Sequence, residues 1–194
     1  TITLPDSIPN KKTLILDLDE TLIHTDYLCK YSNCDMILDF VSNDKTIKIP
    51  VLFRPFLFEF LDFCSEFFEI IVFTASKKEY ADCVLNFIEK EKKYFSLRLY
   101  RENCICLKNM IFLKDLRIFS NRKMKDLLII DNSLYSFANQ LYYGILITSF
   151  YSDLNDVELV NLKNYLMTLI NSGSDDFREI NSKMFNFEKI KMHL

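Results

Sequence analysis

Asp17 and Asp19 stand two residues apart in Asp17-Leu18-Asp19-Glu20-Thr21-Leu22, directly after the apolar run Thr13–Leu16. Three further sites repeat this form, an apolar run that ends in groups able to do chemistry. Ile70–Phe73 runs into Thr74-Ala75-Ser76, Met110–Leu113 into Lys114, and Leu127–Ile130 into Asp131-Asn132-Ser133. Gathered in one place, these groups suffice to cleave a phosphate ester. Asp17 is suited to attack phosphorus and carry the phosphoryl group covalently. Asp19 is suited to protonate the leaving oxygen and later to deprotonate water. Clustered carboxylates repel one another unless a cation sits among them. Asp17, Asp131 and the Asn132 amide offer hard oxygen ligands that suit Mg²⁺, with Asp19 beside them as a further candidate ligand. Lys114 would offset negative charge, and Thr74 would donate a hydrogen bond to a phosphoryl oxygen.

The groups can meet only if the runs ending at Asp17, Thr74 and Asp131 are neighbouring strands, with Lys114 reaching their edge from between them. Runs that are apolar throughout suit the centre of a parallel sheet covered on both faces. A further run at Ile145–Thr148 and a weaker one at Leu97–Tyr100 extend the set. Between them Pro55–Phe67, Ser76–Lys90 and Asp156–Ile170 repeat apolar residues at helical spacing. Pro55 suits a helix start, and Ser76 with Glu79 reads as a capping box. The alternation predicts an α/β domain, a Rossmann-like, doubly wound, mainly parallel sheet with helices on both faces. Such sheets bind ligands at the carboxyl ends of their strands, where the four polar sites fall. Tyr27–Phe53 breaks the rhythm. Met36–Val41 and Thr46–Phe53, joined by Ser42-Asn43-Asp44-Lys45, read as a β-hairpin inserted after the first strand. No segment is long enough for a large cap domain. One domain over residues 1–194 is expected, with its core at about 13–170; past about Ser172 a final helix and a loose tail both fit.

Composition narrows the function classes. The chain has 194 residues, 49% of them hydrophobic, and a formal net charge of −3, which disfavours direct nucleic-acid binding. Only two glycines, Gly144 and Gly173, are present, so a glycine-rich phosphate loop is excluded. Val51–Phe73 is very apolar, but Arg54, Glu59, Asp62, Glu66 and Glu69 exclude a membrane span. The six cysteines form no CxxC pair and read as reduced thiols, with Cys64 and Cys83 buried in helices. No signal peptide is visible, and a nuclear or cytoplasmic location is expected.

The order and spacing of Asp17–Leu22, Phe73–Ser76, Leu113–Leu116 and Leu128–Ser133 resemble the haloacid dehalogenase superfamily. From about Thr13 to Val160 the likeness is to its C-terminal-domain phosphatase branch, the small CTD phosphatase, Dullard and NLI-interacting-factor-like proteins. Arg54-Pro55, Tyr80-Ala81-Asp82 and Arg98–Glu102 share in it. The resemblance implies a nucleophile at Asp17, an acid/base at Asp19, phosphate contacts at Thr74 and Lys114, and a metal pair at Asp131 and Asn132. A hairpin insertion after the first motif is also typical of this branch. It further implies phosphoserine or phosphothreonine proteins as substrates, among them the proline-rich C-terminal domain of RNA polymerase II. Thr21, Tyr27, Phe40, Tyr80 and Arg101 are the candidate substrate contacts, the aromatic ones as a pocket for proline. Lys77 places a charge where that pocket would be apolar. His24 is expected to be a structural hydrogen-bonding residue, and Arg54 to brace the edge of the site. Two rivals are a non-catalytic scaffold or import-receptor relative and a small-metabolite phosphatase. Retention of both aspartates disfavours the first, and the lack of a cap disfavours the second.

Overall fold

The computed structural model describes residues 2–4, 8, 11–26, 34–42 and 45–185. Five parallel strands form the central sheet: β1 (Lys12–Leu16), β5 (Phe68–Phe73), β6 (Phe95–Leu99), β9 (Leu127–Asp131) and β10 (Gly144–Leu146). Their order is β10-β9-β1-β5-β6. Leu16 lies opposite both Val72 and Ile130, so β1, β5 and β9 end at one level. That register delivers Asp17, Thr74 and Asp131 to a common edge.

Side chains alternate across a strand, which splits the core into two layers. Leu14, Leu16, Ile70, Val72, Leu128 and Ile130 pack with the helices α1 (Leu57–Phe67), α2 (Lys78–Ile88) and α3 (Glu158–Asn171). Ile15, Ile71, Phe73 and Ile129 point the other way, onto Leu116, Phe119, Phe137 and Leu141. The helical cover of that second face is 3₁₀, in Leu116–Ile118 and Leu134–Tyr143. Each aliphatic side chain fully buried in these layers contributes about 1.5–3 kcal/mol relative to exposure.

The insertion forms a separate antiparallel sheet. β3 (Met36–Ser42) and β4 (Lys45–Phe53) pair as the expected hairpin, but a third strand, β2 (Ile23–Thr25), lies on the other edge of β4. A three-residue strand carries no readable alternation, which is why the sequence shows only two. Equally short are β7 (Ile105–Cys106) and β8 (Phe112–Leu113), a small hairpin just before Lys114. The chain past Ser172 forms a helix, α4 (Arg178–Phe185). It is anchored by the buried Asn181, which accepts from the Tyr165 hydroxyl at 2.6 Å and donates to the Tyr142 carbonyl at 3.2 Å.

Three local expectations are corrected. Ser76 caps nothing: α2 begins after Lys77 without a side-chain cap, because the Ser76 hydroxyl is drawn to Asp19. α1 begins at Leu57 after a left-handed Phe56 (φ 66°), not at Pro55. Cys83 is exposed, since α2 turns Ala81, Val84, Leu85 and Ile88 inward; Cys64 is buried as expected. Cys29 lies outside the described residues.

Gly144 opens β10 against the buried Phe137. A Cβ there would fall 2.1 Å from two carbons of the Phe137 ring. Gly144→Ala is therefore expected to lower unfolding stability by about 1–3 kcal/mol through overpacking. Chemical denaturation reads this directly, and an unchanged midpoint would show that the ring moves at no cost.

Candidate active site

The loop after β1 folds back tightly. The amides of Thr21, Leu22 and Ile23 all donate to the Leu18 carbonyl, at 3.3, 2.9 and 3.2 Å. This turn needs a left-handed residue, and Glu20 takes that role at φ 56°. A non-glycine residue held there costs on the order of 1 kcal/mol, so the surroundings must enforce it. Buried Leu18 and Leu22 help, and Arg54 does more. Its guanidinium, fully buried, donates to both oxygens of Asp156 at 2.9 and 2.8 Å and to the Thr21 carbonyl at 3.1 Å. It also lies 5.6 Å from the Phe150 ring centroid, while the Phe150 amide bonds the Glu20 carbonyl at 2.7 Å. Arg54 thus braces the loop from behind, as expected of it.

Lys114 sits at the centre, 1% exposed. Its ammonium donates to Asp17 Oδ1 at 2.5 Å and to Asp131 Oδ2 at 2.6 Å. Burial alone would lower the Lys114 pKa. The charges of Asp131 and Asp17 outweigh burial and hold it above the ordinary lysine range. Asp131 is pushed up by burial and by the neighbouring Asp17 charge. Thr21 Oγ1 donates to Asp17 Oδ2 at 2.9 Å, so both oxygens of the candidate nucleophile are oriented. Asp131 Oδ1 accepts from the Ser133 amide at 2.8 Å, a local turn contact. Asn132 Nδ2 donates to Ser149 Oγ at 3.0 Å, and its Oδ1 lies 3.4 Å from Thr21 Oγ1.

Asp19 belongs to a different cluster. Its Oδ1 accepts from the Tyr80 hydroxyl at 2.6 Å, and its Oδ2 from Ser76 at 2.7 Å and Thr74 at 3.3 Å. Burial raises its pKa and the Tyr80 bond opposes that rise. Three hydroxyls thus claim the Asp19 carboxylate. Tyr80 places its hydroxyl on Asp19, beside the cavity lining.

A cavity of about 440 Å³ holds Asp17, Asp19, Thr74, Lys114, Asp131 and Asn132 together. Arg101 lines it too; its Nε donates to the Ala75 carbonyl at 2.6 Å and its guanidinium lies 5.1 Å from the Phe112 ring centroid. Tyr27 and the Phe40 side chain lie outside the described residues. No described residue of the insertion lines the cavity. Instead Met110, Ile111, Phe112 and Tyr135 do, which sequence reasoning missed. Their only signal was position, just ahead of Lys114 and just after Asp131-Asn132. His24 faces Glu20 Oε1 at 3.1 Å and meets the Tyr151 ring edge-on, a structural role.

Among the described residues no group of three or more His, Cys, Asp or Glu converges to hold a metal unaided. Asp17 Oδ2, Asp131 Oδ1 and Asn132 Oδ1 each accept at most one close bond and retain acceptor capacity. One or two carboxylates, with water and phosphate oxygens completing the shell, is the usual manner of Mg²⁺ binding. These residues fit it.

The family model for NLI interacting factor-like phosphatases matches residues 12–178. CTD small phosphatase-like protein 3 of Caenorhabditis elegans is 41% identical over 168 residues, covering 87% of this chain and 57% of that protein. Nuclear envelope morphology protein 1 of Schizosaccharomyces pombe is 38% identical over 160 residues, 82% of this chain and 33% of that protein. The chain therefore spans less than two thirds of these relatives. Among solved structures, Fcp1, an RNA polymerase II CTD phosphatase, shares the fold with a TM-score of 0.59 at 23% identity, covering 91% of this chain and 53% of that one.

Proposed function

The chain belongs to the NLI interacting factor-like phosphatase family, and on that premise we propose that it is a Mg²⁺-dependent protein serine/threonine phosphatase acting through Asp17. The observation that carries this is Lys114, buried between Asp17 and Asp131 at one edge of a parallel sheet. A buried ammonium shared by two carboxylates is a costly arrangement for stability alone. It suits a site that must accept a phosphoryl dianion.

Asp17 attacks phosphorus while the ester oxygen–phosphorus bond breaks. Asp19, whose pKa burial raises, gives its proton to the leaving oxygen, which departs as serine or threonine hydroxyl. An aspartyl-phosphate remains on Asp17. Water then attacks that phosphorus, Asp19 takes its proton, and Asp17 is released with inorganic phosphate. Throughout, Thr21 and Lys114 hold the Asp17 carboxylate in one orientation, and Lys114 offsets charge on the phosphoryl oxygens. Asp17, Asp131 and Asn132 would hold Mg²⁺, which supplies further positive charge for the phosphoryl oxygens.

Hydrolysis of p-nitrophenyl phosphate and of phosphoserine, phosphothreonine and phosphotyrosine peptides, each with Mg²⁺ and with EDTA, tests this reading. Turnover should vanish in EDTA, return with Mg²⁺, and favour the serine and threonine peptides. Undiminished turnover in EDTA would refute the cation role. The RNA polymerase II tail is one proposed substrate, and a nuclear or nuclear-envelope location goes with it. Singly phosphorylated heptad peptides hydrolysed no faster than unrelated phosphopeptides would exclude it.

Tyr80→Phe gives a pH-dependent prediction. The Tyr80 hydrogen bond favours the charged form of Asp19, so its loss moves the Asp19 pKa further up. Since the first step needs Asp19 protonated, the alkaline limb of kcat/KM should move to higher pH. A limb that stays in place, or moves down, would remove Asp19 from the role of acid.

A further inference from the structure

The cavity is lined by four carboxylates against two cations, Lys114 and Arg101, and by a separate apolar group. Asp17, Asp19, Glu20 and Asp131 make much of it acidic, whereas Met110, Ile111, Phe112 and Tyr135 are apolar or aromatic. Met110 is 71% exposed and Tyr135 56% exposed. Large apolar groups left in solvent at the mouth of a polar cavity mark a place where something apolar docks.

These residues are held in place by the elements that carry the chemistry. Met110 sits in the turn between β7 and β8, and β8 ends at Leu113, next to Lys114. The Leu107 amide closes that turn on the Ile111 carbonyl at 2.8 Å, and Arg101 covers the Phe112 ring. Tyr135 lies just beyond Asp131 and Asn132. A 2.6 Å bond from the Lys114 amide to the Ser136 carbonyl fastens the two segments side by side. Met110 also adopts a left-handed backbone, φ 62°, where glycine would be unstrained. Such a conformation in a side-chain-bearing residue costs on the order of 1 kcal/mol and is found where function requires it.

We propose that Met110 and Tyr135 form a specificity surface for an apolar side chain close in sequence to the phosphorylated serine or threonine. The proposal rests on the phosphatase reading above. Its occupant follows from continuity with the cavity: once the phosphoryl group is at Asp17, the flanking residues of the substrate leave through the mouth. An extended chain covers about 3.3–3.6 Å per residue, so a side chain within about three residues is in reach. An acidic flanking residue would meet the carboxylates of the cavity, and an apolar one meets none of that repulsion. Methionine adapts to varied apolar shapes, which favours a class of side chains over a single residue.

The test uses phosphoserine peptides that differ at one position carrying Leu, Gly or Asp, scanned from three residues before to three after the phosphoserine. Hydrolysis of p-nitrophenyl phosphate by the unaltered protein runs alongside. At one or more positions kcat/KM should be about tenfold higher for Leu than for Gly, the size of discrimination an apolar pocket achieves, with Asp lowest. Met110→Gly, whose backbone suits φ 62°, and separately Tyr135→Ser should each bring the Leu-to-Gly ratio towards one. A flat peptide series despite p-nitrophenyl phosphate turnover would overturn this inference alone. A Leu preference unchanged in both variants would overturn it as well. Absence of turnover on every substrate would overturn the phosphatase reading and this proposal with it.

Discussion

Asp17→Asn is expected to cut turnover of a phosphomonoester by at least about 10³-fold, equivalent to about 4 kcal/mol of transition-state stabilisation. The amide oxygen is too weak a nucleophile to displace an alkoxide from phosphorus, and no neighbouring side chain replaces it. Asp19 is held by Tyr80, Ser76 and Thr74, and Asp131 by Lys114 and the Ser133 amide. The substitution should spare the fold. Asn matches Asp in shape, its one carbonyl oxygen can still accept from Lys114 while its NH2 donates to the Thr21 hydroxyl, and losing one of two carboxylates around a single ammonium relieves their mutual repulsion. Thermal unfolding should thus occur at the same temperature or slightly higher. Activity within tenfold of the unaltered protein, in a preparation shown to be the pure variant, would remove Asp17 from the reaction.

Lys114→Met should have the largest effect on stability. Removing the ammonium leaves Asp17 and Asp131 facing each other without a counter-charge inside the fold, and breaking a buried ionic cluster in this way costs about 3–5 kcal/mol. The sign of the pH dependence follows from the same contacts. Asp131 is already raised in pKa, with the ammonium present, by burial and by Asp17. Without the ammonium, which opposes that rise, Asp131 shifts further up. A group whose folded pKa is raised stabilises the fold below its unfolded pKa and loses that contribution as pH rises through the folded value. The variant should therefore be least stable at neutral and alkaline pH and recover on acidification towards pH 4. Adding Asp131→Asn to Lys114→Met should restore part of the lost stability without restoring turnover. Urea denaturation of the unaltered protein and of both variants at two pH values decides this. A loss below about 1 kcal/mol for Lys114→Met would mean that water or rearrangement already screens the pair.

What could be read in advance had a period. β1, β5 and β9 are covered on both faces, so they appear as unbroken apolar runs, and each run ends where a polar group is needed. Asp17, Thr74, Asp131 and Asn132 stood out for that reason, and Lys114 as the residue after the apolar Met110–Leu113. The phase of α2 was harder: Phe87 repeats at helical spacing with Tyr80 and Val84, yet it is 41% exposed while Ala81 and Leu85 are buried. The 3₁₀ cover of the second face and the short strands β2, β7 and β8 left no pattern, because two or three residues cannot display one.

The chain's residue order alone determined the chemistry on offer, since local periodicity dictates which carboxylates, hydroxyls and amine arrive at the carboxyl ends of adjacent strands. Only the tertiary structure decided how those groups are paired. Lys114 lies 97 residues from Asp17, Tyr80 61 from Asp19, and Arg54 102 from Asp156. Nothing in a local pattern encodes such contacts, and several acceptors were open to each donor. Packing selected among them by burying the donors where only one set of oxygens could satisfy them. The same packing placed Met110 and Tyr135 at the mouth of the cavity.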